Sequence, residues 1–199
     1  MIQLQIDGEK AMKEILAVLG DANKKAAPRV LSKAVNATAD EARKLLASKA
    51  QETYAIKSAG FKKAMDIDKA KPKTPVATLR SDGGPIELFK FKTSPATYKT
   101  GENKPETSKG KVKKSHGGMK NLLHEGRWAF VTKFSNGHKS MVQRTTDKRF
   151  PIKTLLSPSI PQMIGNEEDV YGEVQPVIQK MLMNHIYEEL DKELLKGIK

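Results

Sequence analysis

Residues 150–167 read FPIKTLLSPSIPQMIGNE, and this stretch separates a strand-rich region from a terminal helix. Each of its two central prolines fixes a φ angle and restricts the residue that precedes it. The stretch therefore predicts a stiff connector that sets the direction of the helix after it. The residues to which we assign this connector role are Pro158, Ile160, Pro161 and Gly165.

A terminal helix is predicted after the connector, because apolar residues recur there every four positions and form a stripe. Pro176 indicates that the regular helix starts near Val174 or kinks at the proline. The stripe needs a partner, which is either another subunit or the helix around residues 31–46. The possible oligomer interface consists of Val174, Ile178, Leu182, Ile186 and Leu190.

Upstream of the connector, residues 67–156 form short alternating runs divided by Pro, Gly, Asn and Ser. Runs at residues 76–79, 86–91 and 128–133 are predicted strands, and the turn residues at 80–84 separate the first two. The dipeptide Asn136-Gly137 is a strong hairpin signal between the third run and a return strand. This region is expected to fold as a small antiparallel sheet or barrel.

Residues 93–118 contain almost no large apolar side chain and are rich in Lys, Thr, Ser, Gly and Pro. This composition is typical of a long exposed loop. Lysine point charges bind phosphate without reading bases, so the loop offers a possible DNA contact. The lysines concerned are Lys109, Lys111, Lys113 and Lys114.

The N-terminal part, residues 1–66, is predicted to be mostly helical. Ile2, Leu4 and Ile6 alternate with polar residues and indicate a short strand. Helices are expected over residues 9–19 and 22–54, and Ser58 is expected to cap a further short turn. The second helix has a buried stripe at spacings of three and four, formed by Leu31, Val35, Thr38, Ala42, Leu45 and Leu46.

Together these elements predict an α+β fold, with a small antiparallel β-sheet or barrel-like domain flanked by long N-terminal and C-terminal helices. The length of 199 residues fits a single domain, residues 1–199. Within it, the mostly helical part (1–66) precedes the β-rich part (67–156), and the connector and last helix (157–199) follow.

Composition excludes several classes of site. The chain has no cysteine, so disulfides and thiolate metal sites cannot form. No sequence motif announces a catalytic, cofactor-binding or metal site, because GxSxG, GxGxxG, GxxxxGK[ST] and HExxH are all absent. We therefore expect a protein that is not an enzyme and needs no cofactor. The first residues do not resemble a signal peptide and no apolar run is long enough for a bilayer, so a soluble protein without membrane contact is expected.

Charge is segregated along the chain. The net charge is +13, and residues 90–149 alone hold fifteen basic and four acidic residues. The C-terminal part is acidic instead, with Glu188, Glu189, Asp191 and Glu193 close together. Opposite local charges on one chain suit head-to-tail contacts between identical subunits as well as they suit contact with DNA.

Two stretches resemble the prophage minor tail protein Z family. Residues 150–167 are similar to the family's Pro-Ile and Gly-Pro-Ser-Ile-Pro-Gln-Met stretch before the last helix, with Ser157 in place of the glycine. Residues 30–39 with Arg43, leading to residues 54–57, are similar to the family's helix, which ends in Ile-Lys before a turn.

This resemblance implies a structural bacteriophage protein, a minor tail protein acting in tail completion and head–tail joining at the neck. It implies a homo-oligomeric ring, with a hexamer around the DNA channel expected, in contact with other phage tail and neck proteins. The expected location is the virion, in tail or neck, after assembly in the host cytoplasm.

The competing interpretation is a non-specific nucleic-acid-binding protein that uses the lysine-rich loop. It predicts affinity for short duplexes with a steep salt dependence. The structural interpretation predicts a ring or a defined assembly with tail proteins instead, and it leaves open whether the lysine-rich loop faces the DNA channel.

Overall fold

The computed structural model describes residues 1–8, 15–17, 26–57, 60–103 and 105–196. The chain divides into two compact units, and the single domain expected from its length stays a prediction. The first unit comprises Met1–Ala50, Phe61–Asp82 and Ile164–Lys199, and the second comprises Gln51–Gly60 and Gly83–Met163.

Helices and small antiparallel sheets make up the described residues, which confirms the predicted α+β class with long helices near both ends. The helices are α1 (Ala27–Thr53), α2 (Ile160–Ile164) and α3 (Tyr171–Lys196), with 3₁₀ turns at Leu88–Lys90 and Gly101–Asn103. The strands are β1 (Ile2–Asp7), β2 (Asp66–Asp68), β3 (Val76–Ser81), β4 (Ile86–Glu87), β5 (Lys92–Ser94), β6 (Lys109–Lys111), β7 (Lys120–Asn121), β8 (Leu123–His124), β9 (Arg127–Trp128), β10 (Phe130–Lys133), β11 (Lys139–Arg144), β12 (Ile152–Thr154) and β13 (Leu156–Ser157).

The first unit contains one three-stranded antiparallel sheet in the order β1-β3-β2. Ile2 lies opposite Ser81 and Asp66 lies opposite Arg80, so β3 is the central strand. The predicted N-terminal strand is confirmed, and its alternation leaves Ile6 buried while the intervening residues are exposed.

Helix α1 begins with Pro28 in its first turn, where the missing N–H has no helical partner to lose. Its predicted buried stripe is confirmed except at Leu45, which is only half-buried. The buried positions from this stripe are Leu31, Val35, Thr38, Ala42 and Leu46.

Helices α1 and α3 pack antiparallel, as three polar contacts spread along their length indicate. Lys33 pairs with Glu189 near the start of α1, and Lys49 pairs with Glu173 near its end. Between them the Thr38 hydroxyl lies 3.0 Å from Nδ1 of His185. Residues near the start of α1 contact residues near the end of α3, and the reverse holds at the other end. The two helices therefore run side by side in opposite directions.

The second unit consists of short sheets around a small apolar cluster. The cluster consists of Val131 on β10, Met141 on β11 and Ala129 just before β10. Four half-buried side chains pack against it: Phe89, Tyr98, Leu122 and Leu155. The predicted hairpin is confirmed: the turn residue Gly137 has φ +82° and the Phe134 N–H donates to the His138 carbonyl oxygen at 2.8 Å.

The predicted strand over residues 86–91 is wrong after its first two residues. Residues 88–90 form a 3₁₀ turn in which the Phe91 N–H donates to the Leu88 carbonyl oxygen at 2.9 Å. Leu88 and Phe91 are both buried, three positions apart, and a 3₁₀ turn places such a pair on one side. The buried apolar residues are therefore three positions apart here. In a run of six residues this spacing was mistaken for the alternation of a strand.

The predicted single exposed loop over residues 93–118 is also wrong. Strand β6 lies within it and pairs with β5 and β7, and both Gly110 of this strand and Ser108 just before it are buried. Small residues can be buried without any large apolar side chain, so composition alone did not reveal this strand.

Smaller differences concern the boundaries of elements. Arg80 and Ser81, predicted in a turn, belong to β3. The predicted helix over residues 9–19 lies outside the described residues except for 15–17, which are helical. Residues 22–25 and the proposed cap Ser58 also lie outside the described residues.

Two buried serines in the second unit give opposite expectations for stability. The Ser108 hydroxyl donates to the Ala129 carbonyl oxygen at 2.7 Å, so Ser108→Ala should lower the free energy of unfolding by about 1 kcal/mol. The Ser140 hydroxyl is buried without a hydrogen-bond partner in the described part of the chain. Ser140→Ala should leave stability unchanged or raise it, because an unpaired buried hydroxyl is unfavourable. Urea unfolding compares the two variants, and similar losses in both would contradict these assignments.

Candidate functional site

The connector contains a short helix with its own cap. The Gln162 side-chain oxygen accepts a hydrogen bond from the Ser159 N–H at 2.9 Å, while the Gln162 N–H faces the Ser159 hydroxyl oxygen at 3.4 Å. This reciprocal arrangement is a capping box. Its Ser-x-x-Gln signature is visible in the sequence, although no helix was predicted from it there. Of the connector residues, Pro161 is buried, Ile160 and Gly165 are half-buried, and Pro158 is exposed.

A second capped turn leads into α3. The Asn166 side-chain oxygen accepts from the Asp169 N–H at 2.8 Å, and its carbonyl oxygen accepts from the Tyr171 N–H at 2.7 Å. Gly172 follows, where a Cβ atom would overlap the carbonyl oxygen of Glu167. The start of α3 is therefore fixed by local hydrogen bonds and by close approach of the backbone, three residues before the predicted Val174.

The predicted interface stripe on α3 is covered only in part by its own chain. Val174, Ile186 and Leu190 are buried, whereas Ile178 and Leu182 are half-buried. A repeat of four residues turns by about 40° per step around a helix of 3.6 residues per turn, so one neighbour cannot cover every member. The burial seen along α3 agrees with this geometry.

Other apolar side chains of α3 are more exposed than the predicted stripe. Val177 is 46% exposed, Tyr187 55% and Leu195 65%. The sequence analysis did not assign these residues to the interface, because they fall outside the four-residue repeat. Their apolar character on a helix surface was the signal that could have found them.

An apolar groove lies beside α3 within the first unit. Its volume is about 430 Å³, and β1, α1, β3 and α3 all contribute to its lining. Burial raises the pKa of the Tyr171 phenol at this groove, and the nearby Glu167 carboxylate raises it further, so the phenol stays neutral. The apolar side chains that line the groove are Leu4, Ile6, Ala42, Leu46, Leu79, Ile178, Leu182 and Met183.

A different concavity, of about 500 Å³, lies in the second unit and is lined by lysines. Its lining side chains are Ala55, Ile56, Lys57, Lys92, Lys111 and Lys114. The sequence analysis named Lys111 and Lys114, but it missed Lys57 and Lys92 because they are distant in sequence. Of the other two predicted lysines, Lys109 lies two residues from Lys111 on the same strand, and Lys113 forms a β-bridge with Tyr54.

One constellation resembles catalytic machinery in residue type only. His185 lies 3.0 Å from the Thr38 hydroxyl through Nδ1 and 3.6 Å from a Glu41 carboxylate oxygen through Nε2. The Thr38 hydroxyl donates its proton to the Ala34 carbonyl oxygen at 2.8 Å, so the imidazole does not accept that proton. These contacts join α1 to α3.

The described residues show neither a metal-ligand cluster nor a membrane-spanning helix. They contain no group of three or more His, Asp or Glu side chains placed to hold a metal ion. None of their helices combines the length and the apolar content that crossing a bilayer requires.

The features described so far are an apolar helix face beside a groove in the first unit and a lysine-lined concavity in the second. A family model described as prophage minor tail protein Z (GPZ) matches residues 10–198. The chain therefore belongs to this family and is a structural minor tail protein of a bacteriophage. Searches of curated proteins and of solved structures gave no match.

Gly172→Ala tests whether close packing fixes the start of α3. Helix propensity alone favours Ala over Gly by about 1 kcal/mol, but overpacking against a backbone atom costs about 1–3 kcal/mol. The blocking atom is the Glu167 carbonyl oxygen, so we expect net destabilisation and a lower melting temperature. Gly84→Ala is the control, because nothing lies within 4 Å of its added Cβ. A Gly172→Ala protein as stable as the parent would show that the turn can relax.

Proposed function

We propose that this minor tail protein acts in tail completion and head–tail joining at the neck, as a non-enzymatic homo-oligomeric ring. The observation that carries the proposal is the incompletely covered apolar surface of α3, next to the groove of the same unit. Family membership supports a place in the phage tail. The expected partners are a second copy of the chain and other tail and neck proteins.

The interface of this proposal differs from the stripe named in the sequence analysis. Ile178 and Leu182 line the groove, and Val177 beside them is exposed, so these three are available to a neighbour. Val174, Ile186 and Leu190 stabilise the unit itself. Full burial of one such apolar side chain is worth about 1.5–3 kcal/mol, and a ring repeats that gain at every interface.

Charge supports a head-to-tail arrangement of subunits. Residues 90–149 are strongly basic, whereas exposed acidic residues lie near the end of α3, among them Glu188 and Asp191. A head-to-tail contact pairs two different surfaces, and it closes into a ring when its rotation divides a full turn. We expect a hexamer around the DNA channel, assembled in the host cytoplasm and retained in the virion.

Val177→Lys tests the proposed interface. The substitution places a charge at an exposed position of α3, so the fold and melting temperature of the isolated subunit should stay unchanged. Subunit association should weaken by at least about tenfold, because an apolar contact is lost and a charge would have to be desolvated. Sedimentation velocity over a range of concentrations measures the change.

Thr74→Lys is the matched control, since it adds the same charge at an exposed position of the first unit that is not part of α3. It should sediment like the parent protein. If the parent sediments only as a monomer, both alone and with tail components, or if Val177→Lys assembles as the parent does, the proposal is wrong.

A further inference from the structure

We propose that the lysine-lined concavity of the second unit binds the phosphate backbone of nucleic acid, without regard to base sequence. Its members are Lys57, Lys92, Lys111 and Lys114, which come from three separate parts of the chain. The inference goes beyond the proposed function, because the apolar surface of α3 that carries ring formation lies in the first unit and contains none of these lysines. The two can therefore fail independently.

Strand pairing forces two of these lysines together. Lys92 on β5 lies directly opposite Lys111 on β6, and Ser94 lies opposite Lys109. Side chains directly opposite in an antiparallel pair have Cβ atoms about 4.5–5.5 Å apart, and like charges there repel. A bound anion that accepts hydrogen bonds from both ammonium groups would offset this repulsion, because it attracts each of them.

The two faces of this small sheet differ sharply, so the lysines share one side. Thr93 and Gly110, in the middle of β5 and β6, are buried. A Cβ added at Gly110 would lie 3.4 Å from side-chain atoms of both Leu88 and Leu122. Because side chains alternate along a strand, Lys92, Lys109 and Lys111 point away from this packed face.

The other two lysines are held in place by contacts of their own. The Lys114 N–H donates to the Thr53 carbonyl oxygen at 2.8 Å, and its Nζ donates to the Gln51 carbonyl oxygen at 2.8 Å. The Lys57 ammonium lies 5.4 Å from the centre of the Phe89 ring, within the range of a cation–π contact. Their side chains therefore need less ordering when an anion binds than free lysines would.

Within the described part of the chain, nothing supplies an anion to these lysines. Among the described residues, no acidic side chain forms an ion pair with Lys57, Lys92 or Lys111, and none lines the concavity. The acidic residues of α3 are partly neutralised already: Glu189 contacts Lys33 and Lys192, and Glu173 pairs with Lys49. This favours nucleic acid over the acidic helix of a second copy as the occupant.

The chemistry of the lining predicts the mode of binding. Each lysine is a compact charge that contacts phosphate without the planar fork by which arginine reads guanine. Among the residues that the structure describes, no aromatic side chain lines the concavity to stack with a base. Affinity should therefore depend steeply on salt and little on sequence.

The test uses the full-length protein and two short fluorescent DNA duplexes of unrelated sequence, with anisotropy measured over a range of salt concentrations. The parent should bind both duplexes with similar affinity. In Lys92→Gln/Lys111→Gln, binding should weaken, and the slope of log K against log salt should shrink by about 2, since each lost phosphate contact contributes about 0.9. The melting temperature should not fall, because the substitution also removes the Lys92–Lys111 repulsion.

Lys71→Gln/Lys73→Gln is the control, with the same charge change at exposed positions of the first unit. It should keep the slope of the parent. Three results would overturn the proposal: no binding by the parent, equal loss in the control, or an unchanged slope in the double variant. If the parent binds no duplex and the double variant fails to form the parent's ring, the concavity is a contact between subunits instead.

Discussion

The packing of α1 against α3 is the interaction on which the rest of the first unit depends. Three polar contacts align the two helices antiparallel, and the buried residues Leu31, Val35, Ile186 and Leu190 lie along the same stretch. One helix covers only one side of its neighbour. Helix α3 carries apolar residues on more than one side, so its packing against α1 leaves Val177, Tyr187 and Leu195 in contact with water.

The uncovered apolar side of α3 is the feature of the fold on which the proposed assembly depends. Two capped turns fix where α2 and α3 begin, and Gly172 lets the backbone pass close to Glu167 at the start of α3. A helix held this way presents its uncovered side at a reproducible position within its unit. This uncovered side is the surface that the proposed ring would bury between neighbouring subunits.

The second unit is built differently, since it consists of short strands packed through small residues and has a small apolar cluster in place of a large core. Its sheet of β5, β6 and β7 buries one face through Thr93 and Gly110, and so the lysines of β5 and β6 point to the other face. Positive charge is concentrated there by strand register. The lysine-lined concavity thus lies in the second unit, whereas the apolar groove beside α3 lies in the first.

The sequence alone was sufficient for the elements that are determined by residues close together in the chain. The stripe of α1, the alternation of β1 and the Asn-Gly hairpin follow local rules, and all three are confirmed. Local rules failed where the determining contact is distant in sequence. Strand β6 forms because Gly110 fits under Leu88 and Leu122, and Lys92 meets Lys111 only through that pairing. The partial burial of the α3 stripe likewise depends on where α1 lies.

The central claim is that the uncovered side of α3 is covered by a neighbouring subunit. A cryo-electron microscopy map of the purified assembly tests it most directly. The account predicts a closed ring in which residues 171–196 of each subunit lie at a subunit boundary, with Val177 buried there. A closed ring whose boundaries are formed elsewhere, with Val177 facing solvent, would contradict it.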